Sequence, residues 1–227
     1  MNNFNVENKT VGEIAALHPD SYKIFHKHKI DFCCGGKRKL EDVCNEKGIE
    51  FSSVVSDLEA MNNKVSDEKD WNKESLESLI EHIVDNHHKY LREELPRLGQ
   101  LANKVADRHG DKDSHLAELV KIFSTLSDEL LQHIVKEEQV LFPMIIEMEK
   151  SGVFLQHVLM PIMAMEEEHE EAGQALEKLE KLTNGYTIEE HMCASYQALY
   201  LGLKQLDADL KLHIHKENNI LFPRARQ

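Results

Sequence analysis

The chain has 227 residues, enough for one or two domains with a sizeable buried core. Charged residues make up 30% of it and the formal net charge is −14, which argues against a basic nucleic-acid-binding surface. The first residues show neither the basic start nor the apolar run of a signal peptide, and no apolar stretch approaches the ~20 residues of a membrane-spanning helix. We therefore expect a cytoplasmic protein that binds neither nucleic acid nor membrane.

Residues 1–61 form the first predicted unit, a small helical domain. Thr10 followed by Glu13 is typical of the start of a helix, because both side chains can cap backbone N–H groups there. The stretch 39–47 has the composition of a helix, and Gly48 is expected to end it.

A helical bundle is predicted for the rest of the chain. The polar, weakly periodic stretch 62–74 is interpreted as a linker, with Trp71 docked on one of the domains that it joins. Over residues 75–227 the apolar residues recur at the i, i+3, i+4, i+7 spacing of amphipathic helices. Two of these helices are expected to run from about 153 to 182 and from about 188 to 221. Four long helices with short connections predict an all-α protein whose larger domain is an antiparallel four-helix bundle.

Two segments of the bundle region nearly repeat each other. HIVKEEQVLFP begins at His133 and HIHKENNILFP begins at His213, with 7 of 11 positions identical. Each copy places a Glu, Glu137 or Glu217, four residues after its His. On an α-helix this spacing brings both side chains to one face, with Cβ atoms about 5–6 Å apart, so that both can reach one metal ion. The duplication therefore predicts two metals in a dinuclear centre.

The repeat extends upstream to two further histidines. His88 lies 45 residues before His133, and His169 lies 44 residues before His213. The offset from His88 to His169 is 81, whereas the offset from His87 is 82, against 80 between the two copies of the longer motif. The offset favours His88 slightly, and His87 remains an alternative. Four His and two Glu form one inward-facing set of candidate ligands.

The donor set limits the metal and the type of site. Imidazole and carboxylate ligands suit iron, with manganese or zinc as alternatives. The other histidines, His215 included, are expected to be structural or surface residues. Glu138 is expected to point away from the ligands, while Glu168 is the candidate for a contact that orients a ligand or accepts a proton. A ferritin-like site is disfavoured, because only Glu166 and His169 have the Glu-x-x-His spacing that it needs twice.

Four cysteines in a chain expected to be cytosolic are more typical of thiols than of a disulfide framework. Only Cys33 and Cys34 form a pattern, as adjacent residues. Cys44 and Cys193 stand alone and are expected to be ordinary buried thiols.

These motifs resemble the repair-of-iron-centres family of di-iron proteins, the RIC or ScdA type, over almost the whole chain. The hexapeptide DFCCGG that starts at Asp31 resembles the family's short N-terminal domain with its vicinal cysteines. The pieces KEEQVLFP from Lys136, HEEAG from His169 and ENNILFPR from Glu217 resemble its hemerythrin-like domain.

The resemblance implies two non-haem iron ions, oxo- or hydroxo-bridged, held by four His and two bridging Glu. These ligands carry over onto His88, His133, His169, His213, Glu137 and Glu217. The implied function is repair of iron–sulfur clusters damaged by nitric oxide or oxidative stress, by supplying iron or by reducing nitric oxide enzymatically. A hemerythrin-like oxygen or nitric-oxide sensor is the alternative. The implied partners are damaged or apo iron–sulfur proteins together with nitric oxide or oxygen, and a homodimer is compatible with the sequence.

The family's cysteines carry over onto Cys33 and Cys34. Adjacent cysteines rarely pair with each other, because the small ring is strained. The nearby basic residues 37–39 are expected to lower a thiol pKa and to favour an exposed thiolate that passes electrons, traps nitric oxide or handles iron. The alternative is that both thiols pack in a small core.

Overall fold

The computed structural model of the chain describes residues 6, 8–62 and 69–227, and these are helical through most of their length. The described α-helices are α1 (Val11–Leu17), α2 (Ser21–Lys27), α3 (Leu40–Lys47), α4 (Phe51–Asn62), α5 (Leu76–His82), α6 (Lys89–His109), α7 (His115–Lys136), α8 (Phe142–Ser151), α9 (Leu159–Leu182), α10 (Ala194–Lys216) and α11 (Phe222–Ala225). The predicted all-α class is confirmed. Among the described helices, none is both long and apolar enough to cross a membrane.

The chain divides into two compact units, one of which combines Met1–Leu79 with Lys211–Gln227 while the other is Ile80–Leu210. In the first unit, α1 begins with the predicted capping box. The Thr10 hydroxyl accepts from Glu13 N at 3.2 Å, and the Glu13 carboxylate accepts from Thr10 N at 2.7 Å. Helix α3 ends at Gly48, whose φ of 65° lies in the left-handed region that favours glycine. The packed core between the N-terminal helices consists of Val11, Ile14, Phe25, Leu40, Val54 and Leu58.

The C-terminal segment of the first unit holds the stretch that follows α4. Trp71 is buried, and its carbonyl accepts from the Arg224 guanidinium at 2.8 Å. The Glu74 carbonyl accepts from the same guanidinium at 2.6 Å. Trp71 thus lies in the unit that contains α1–α4, while residues 63–68 of the predicted linker lie outside the described residues. The predicted domain boundaries themselves stay a prediction.

In the second unit, α6, α7, α9 and residues 194–210 of α10 each bury one apolar face. Helix α7 packs against both α6 and α9. Helix α10 approaches α6 closely at Gly202, where a Cβ atom would lie 2.5 Å from Leu98 Cδ2. The buried face includes Leu91, Leu95, Leu98, Leu119, Phe123, Leu126, Leu176, Leu199, Leu203 and Leu206.

Two helices begin later than the sequence predicts. Helix α9 starts at Leu159 rather than near 153, which puts Pro161 in the first turn, where the missing proline N–H costs no helical hydrogen bond. Helix α10 starts at Ala194 rather than near 188. The apolar spacing that gives α10 its buried face begins only at Tyr196, so nothing draws the preceding residues into a packed helix.

Three π-helical turns interrupt the long helices: Ile83–His88, Glu137–Leu141 and Glu217–Leu221. Each contains a candidate metal ligand, and π-turns are frequent at functional sites because they re-aim side chains. Pro143 and Pro223 follow the second and third turns, near the starts of α8 and α11. The prolines therefore do not end the helices, which continue through a widened turn.

Candidate metal centre

The first copy of the repeat places His133 in the last turn of α7 and Glu137 at the start of the π-turn that follows. His133 Nε2 lies 3.4 Å from Glu137 Oε2. Both side chains are buried, and Glu137 has 0% relative exposure. Leu141 and Phe142 from the end of the same copy are buried as well, so they pack in the core.

Two histidines from other helices join this pair. His88 ends the first π-turn, and its Nε2 lies 3.3 Å from Glu137 Oε2. His169 lies on α9, with Nε2 only 3.0 Å from His133 Nε2. His133, Glu137 and His169 each place one possible ligand atom within 4.8 Å of the others. Four of the six predicted ligands therefore meet within the unit formed by residues 80–210.

His87 and His88 face different surroundings. The His88 ring stacks on Phe142, with centroids 5.6 Å apart and planes 15° apart. His87 Nδ1 instead lies 2.9 Å from Asp209 Oδ1 on α10. The geometry favours His88 over His87 as the ligand, and the assignment stays a prediction.

Glu168 hydrogen-bonds His133 at Nδ1, the ring nitrogen that does not face Glu137, which is the kind of orienting contact predicted for it. Its carboxylate accepts from His133 Nδ1 at 2.9 Å and from Lys136 Nζ at 2.5 Å. The hydrogen bond from His133 and the Lys136 ammonium outweigh partial burial and hold the pKa of Glu168 at about 2. An ionised carboxylate can only accept, so the proton of His133 lies on Nδ1 and the lone pair on Nε2.

Glu138 supports His88 in the same way, although the sequence analysis predicted that it points away. Its carboxylate accepts from His88 Nδ1 at 2.7 Å and from the Arg92 guanidinium at 2.8 Å. Partial burial opposes ionisation, yet the hydrogen bonds from His88 and Arg92 lower the pKa of Glu138. His88 and Arg92 are four residues apart on one helix face, so a single carboxylate can reach both.

The inner atoms of the cluster fit a bound cation. The outer carboxylates fix the protons of His88 and His133 on Nδ1, so both Nε2 lone pairs face Glu137 Oε2. Electron-pair donors that converge in a buried space repel one another unless a proton or a metal lies between them. Neutral imidazoles with a carboxylate are the ligands of non-haem iron and related divalent metals.

The second copy of the repeat forms a similar pair in the other unit. His213 in the last turn of α10 places Nε2 3.1 Å from Glu217 Oε1 at the start of the third π-turn. Both residues are buried. The His215 and Phe32 rings pack together with their centroids 5.7 Å apart. Burial lowers the pKa of His215 to about 3, so its imidazole is neutral. This matches the structural role predicted for His215.

A cavity of about 130 Å³ adjoins the cluster within residues 80–210. His133 and His169 line it, together with Glu129, Glu168, Glu171 and Lys136, whose ammonium pairs with Glu168. Glu129 and Glu171 are exposed, whereas the two histidines are buried. The cavity therefore leads from a surface with more carboxylates than cations towards two of the candidate ligands.

Asp31 organises the loop that carries the vicinal cysteines. Its carboxylate accepts from Cys33 N at 3.0 Å, from Cys34 N at 3.1 Å and from Gly35 N at 2.7 Å. The Cys33 thiol also donates to Asp31 Oδ1 at 3.2 Å, and the two sulfur atoms are 3.7 Å apart. The loop is thus held as a compact turn around one carboxylate.

The surroundings of Cys33 oppose the expected activation of a thiol by the basic residues 37–39. Cys33 is buried, and its hydrogen bond with Cys34, its burial and the nearby Asp31 carboxylate raise the pKa of Cys33 well above its usual range. Arg38 pairs with Glu46, and Lys39 donates to Asn8, so these two cations serve other partners. Cys33 is therefore a protonated, shielded thiol at neutral pH, whereas Cys34 is half-buried.

All four cysteines lie in the described part of the chain and are free thiols, as predicted. Cys44 is buried as expected, but Cys193 is exposed. The expectation for Cys193 was wrong because α10 begins one residue after it, which leaves Cys193 outside the packed helix. Its sulfur lies 3.3 Å from His109 Nε2.

Two protein families match the chain. The Hemerythrin HHE cation binding domain matches residues 79–225, and ScdA_N, a domain of unknown function, matches residues 7–62. The iron-sulfur cluster repair protein YtfE of Yersinia pseudotuberculosis serotype IB (strain PB1/+) is 38% identical over 221 residues, which cover 96% of each chain. YtfE of Yersinia pestis (strain Pestoides F) has the same identity and coverage. The resemblance drawn from the motifs and the hemerythrin-like helical bundle are both confirmed.

The contrast between His87 and His88 gives a first prediction. We expect His88→Ala to lower iron content measured by a colorimetric assay, because its Nε2 faces Glu137, while His87→Ala leaves iron content near that of the unsubstituted protein. The reverse order of the two variants would show that His87 is the ligand.

The outer carboxylates give a second prediction. Loss of such a partner typically costs 10–100-fold in metal affinity. We therefore expect Glu138→Leu and Glu168→Leu each to weaken ferrous iron binding by about that factor in a competition titration against a chelator. Glu167→Leu, one residue from Glu168, is the matched control. Equal affinity in all three variants would mean that neither carboxylate orients a ligand.

Proposed function

Because the chain belongs to the YtfE family of iron-sulfur cluster repair proteins, we propose that it restores clusters damaged by nitric oxide or oxidative stress by supplying iron from a di-iron centre. The proposed ligands are His88, His133, His169, His213, Glu137 and Glu217. The observation that carries the proposal is the duplicated, buried His-x-x-x-Glu pair, with two further histidines gathered at the first copy.

The repeat supports a single centre built from both copies. The hemerythrin match extends over residues 79–225, which include all six proposed ligands. Each Glu is completely buried, and an isolated buried carboxylate is costly unless a cation compensates it. Two metals shared between two carboxylates would offset that cost at both positions. The donor set is intermediate in softness, which suits iron.

The protein's own groups prepare this centre and control access to it. Glu138 and Glu168 accept hydrogen bonds from Nδ1–H of His88 and His133, so Nε2 of each neutral imidazole is the atom available to a metal, and Arg92 and Lys136 keep those two carboxylates ionised. When bound, the iron would supply exchangeable metal for cluster rebuilding, as well as electrons and open positions for small ligands such as nitric oxide or oxygen.

The cavity beside His133 and His169 favours supply of iron as the main mode of action. Carboxylates along its wall offer oxygen ligands to a hydrated ferrous ion that leaves or enters. A site for a neutral diatomic gas has no need for negative charge along its approach. Damaged or apo iron–sulfur proteins are the proposed recipients, and the cytoplasm is the proposed compartment, in keeping with four free thiols.

The proposed function is tested by loading the full chain with isotope-labelled ferrous iron and mixing it with a nitric-oxide-treated iron–sulfur enzyme under anaerobic conditions. We expect the label to appear in the recovered clusters, in proportion to the iron supplied. Nitrous oxide formed over many turnovers, at the expense of an added reductant and without transfer of label, would instead identify a nitric oxide reductase. If neither label transfer nor nitrous oxide turnover is observed, the result would favour a hemerythrin-like sensor.

The same assay tests the cysteines. We propose that Cys33 and Cys34 assist repair without binding the resident iron, since their loop is organised around Asp31 and the six proposed ligands all lie elsewhere in the chain. Cys33→Ser with Cys34→Ser should keep iron content and slow recovery of the damaged enzyme. Recovery at the normal rate would assign the two thiols to packing.

A further inference from the structure

The two copies of the metal-binding repeat differ at the two positions after their Glu. The first copy has Glu138 and Gln139, and the second has Asn218 and Asn219. Glu138 supports His88, and Gln139 is exposed. The corresponding asparagines instead contact the N-terminal part of the same compact unit and their own helix.

Asn219 is the centre of this contact. Its amide nitrogen donates to the Phe32 carbonyl at 3.0 Å and to His215 Nδ1, also at 3.0 Å. An amide NH₂ group has two protons, so both are used. One bond reaches the cysteine loop and the other returns to α10, which ties that loop to the turn that begins with Glu217.

Two glycines of the N-terminal helices close around the other side of the Asn219 amide. A Cβ atom on Gly12 would lie 2.1 Å from Asn219 Oδ1, and a Cβ atom on Gly36 would lie 2.8 Å from it. The two glycines also touch each other, since that Gly36 Cβ would lie 3.2 Å from Gly12 Cα. Only glycine at both positions lets the backbones of α1 and the cysteine loop approach the asparagine this closely.

Further contacts link the N-terminal segment to the same C-terminal region. Asn218 Nδ2 donates to the Cys33 carbonyl at 3.4 Å, and the edge of the Phe32 ring packs against His215. At the far end of the turn, Arg224 donates to the Trp71 carbonyl. The π-turn Glu217–Leu221 is thus held from the N-terminal side through Asn218 and Asn219, with further contacts from His215 before the turn and Arg224 after it.

We propose that the N-terminal domain positions the second metal-ligating turn through Asn219 and so slows the loss of iron from the centre. Asn219 is a positioning residue, because it contacts neither metal nor substrate and acts through the backbone of Glu217. Detachment of the cysteine loop would free the turn that carries Glu217 and let iron leave. The inference rests on the proposed iron centre and adds to it the element that controls release.

Two substitutions break the contact from opposite sides. Asn219→Ala removes both hydrogen bonds. Gly12→Ala pushes a methyl group against Asn219 Oδ1 from α1, where alanine is the better helix former, so the helix itself is not weakened. Gln139→Ala removes the corresponding side chain of the first copy and is the matched control.

The measurement is the rate at which ferrous iron passes from the loaded full chain to a colorimetric chelator. Alkylation of the buried Cys33, followed by peptide mass spectrometry, reports detachment, and circular dichroism reports helix content. We expect iron loss to be about tenfold faster in Asn219→Ala and Gly12→Ala, because each of these two substitutions disrupts the buried hydrogen bonds of the Asn219 amide. The rate in Gln139→Ala should be unchanged.

Iron loss at the unsubstituted rate in both variants would overturn the inference, whether or not Cys33 becomes reactive. Equal acceleration in Gln139→Ala would also overturn it, because the effect would then be general to either repeat. If the proposed iron centre itself is wrong, the unsubstituted protein will bind no ferrous iron. That result differs from unchanged iron loss in the variants, and it would also overturn the inference.

Discussion

Burial of the two glutamates in the repeat is the constraint on which the rest of the structure depends. Glu137 and Glu217 have no exposed surface, and an ionised carboxylate cannot stay in such a place without compensating charge. Imidazole nitrogens of the candidate ligands lie beside both carboxylates, while Arg92 and Lys136 pair with the outer carboxylates. This arrangement fits metal ions at the inner positions.

The local helix geometry serves the same constraint. Each of the three π-helical turns coincides with a candidate ligand, and a widened turn lets side chains on one helix point inward where a regular α-helix would rotate them away. At the second turn the inward carboxylate of Glu137 is followed by Glu138, which reaches His88. At the third turn the corresponding residues face the N-terminal helices. The residues after the Glu of each copy therefore differ in role: in the first copy they support a histidine, and in the second they contact the N-terminal segment.

Sequence reasoning found the residues that the structure brings together more readily than it found their surroundings. Duplication identified the two His-x-x-x-Glu pairs and the upstream histidines because a spacing of four residues has a fixed meaning on a helix. The contact of Glu138 with His88 was missed because the two residues lie 50 positions apart in the sequence. The thiol pKa of Cys33 was misjudged because the basic residues nearby in sequence do not reveal its hydrogen bond with Cys34 or its burial, which together with Asp31 raise that pKa. The glycine-lined contact of Asn219 depends on residues more than 180 positions apart and left no local signal.

Anomalous diffraction at the iron edge, from crystals of the iron-loaded full chain, tests the central claim most directly. If the proposed di-iron centre is correct, we expect two iron peaks, both within bonding distance of the Glu137 carboxylate. The imidazole nitrogens of His88 and His133 should then bind different ions. A single peak, or iron bound at Asp31 and the vicinal cysteines with none at Glu137, would contradict it.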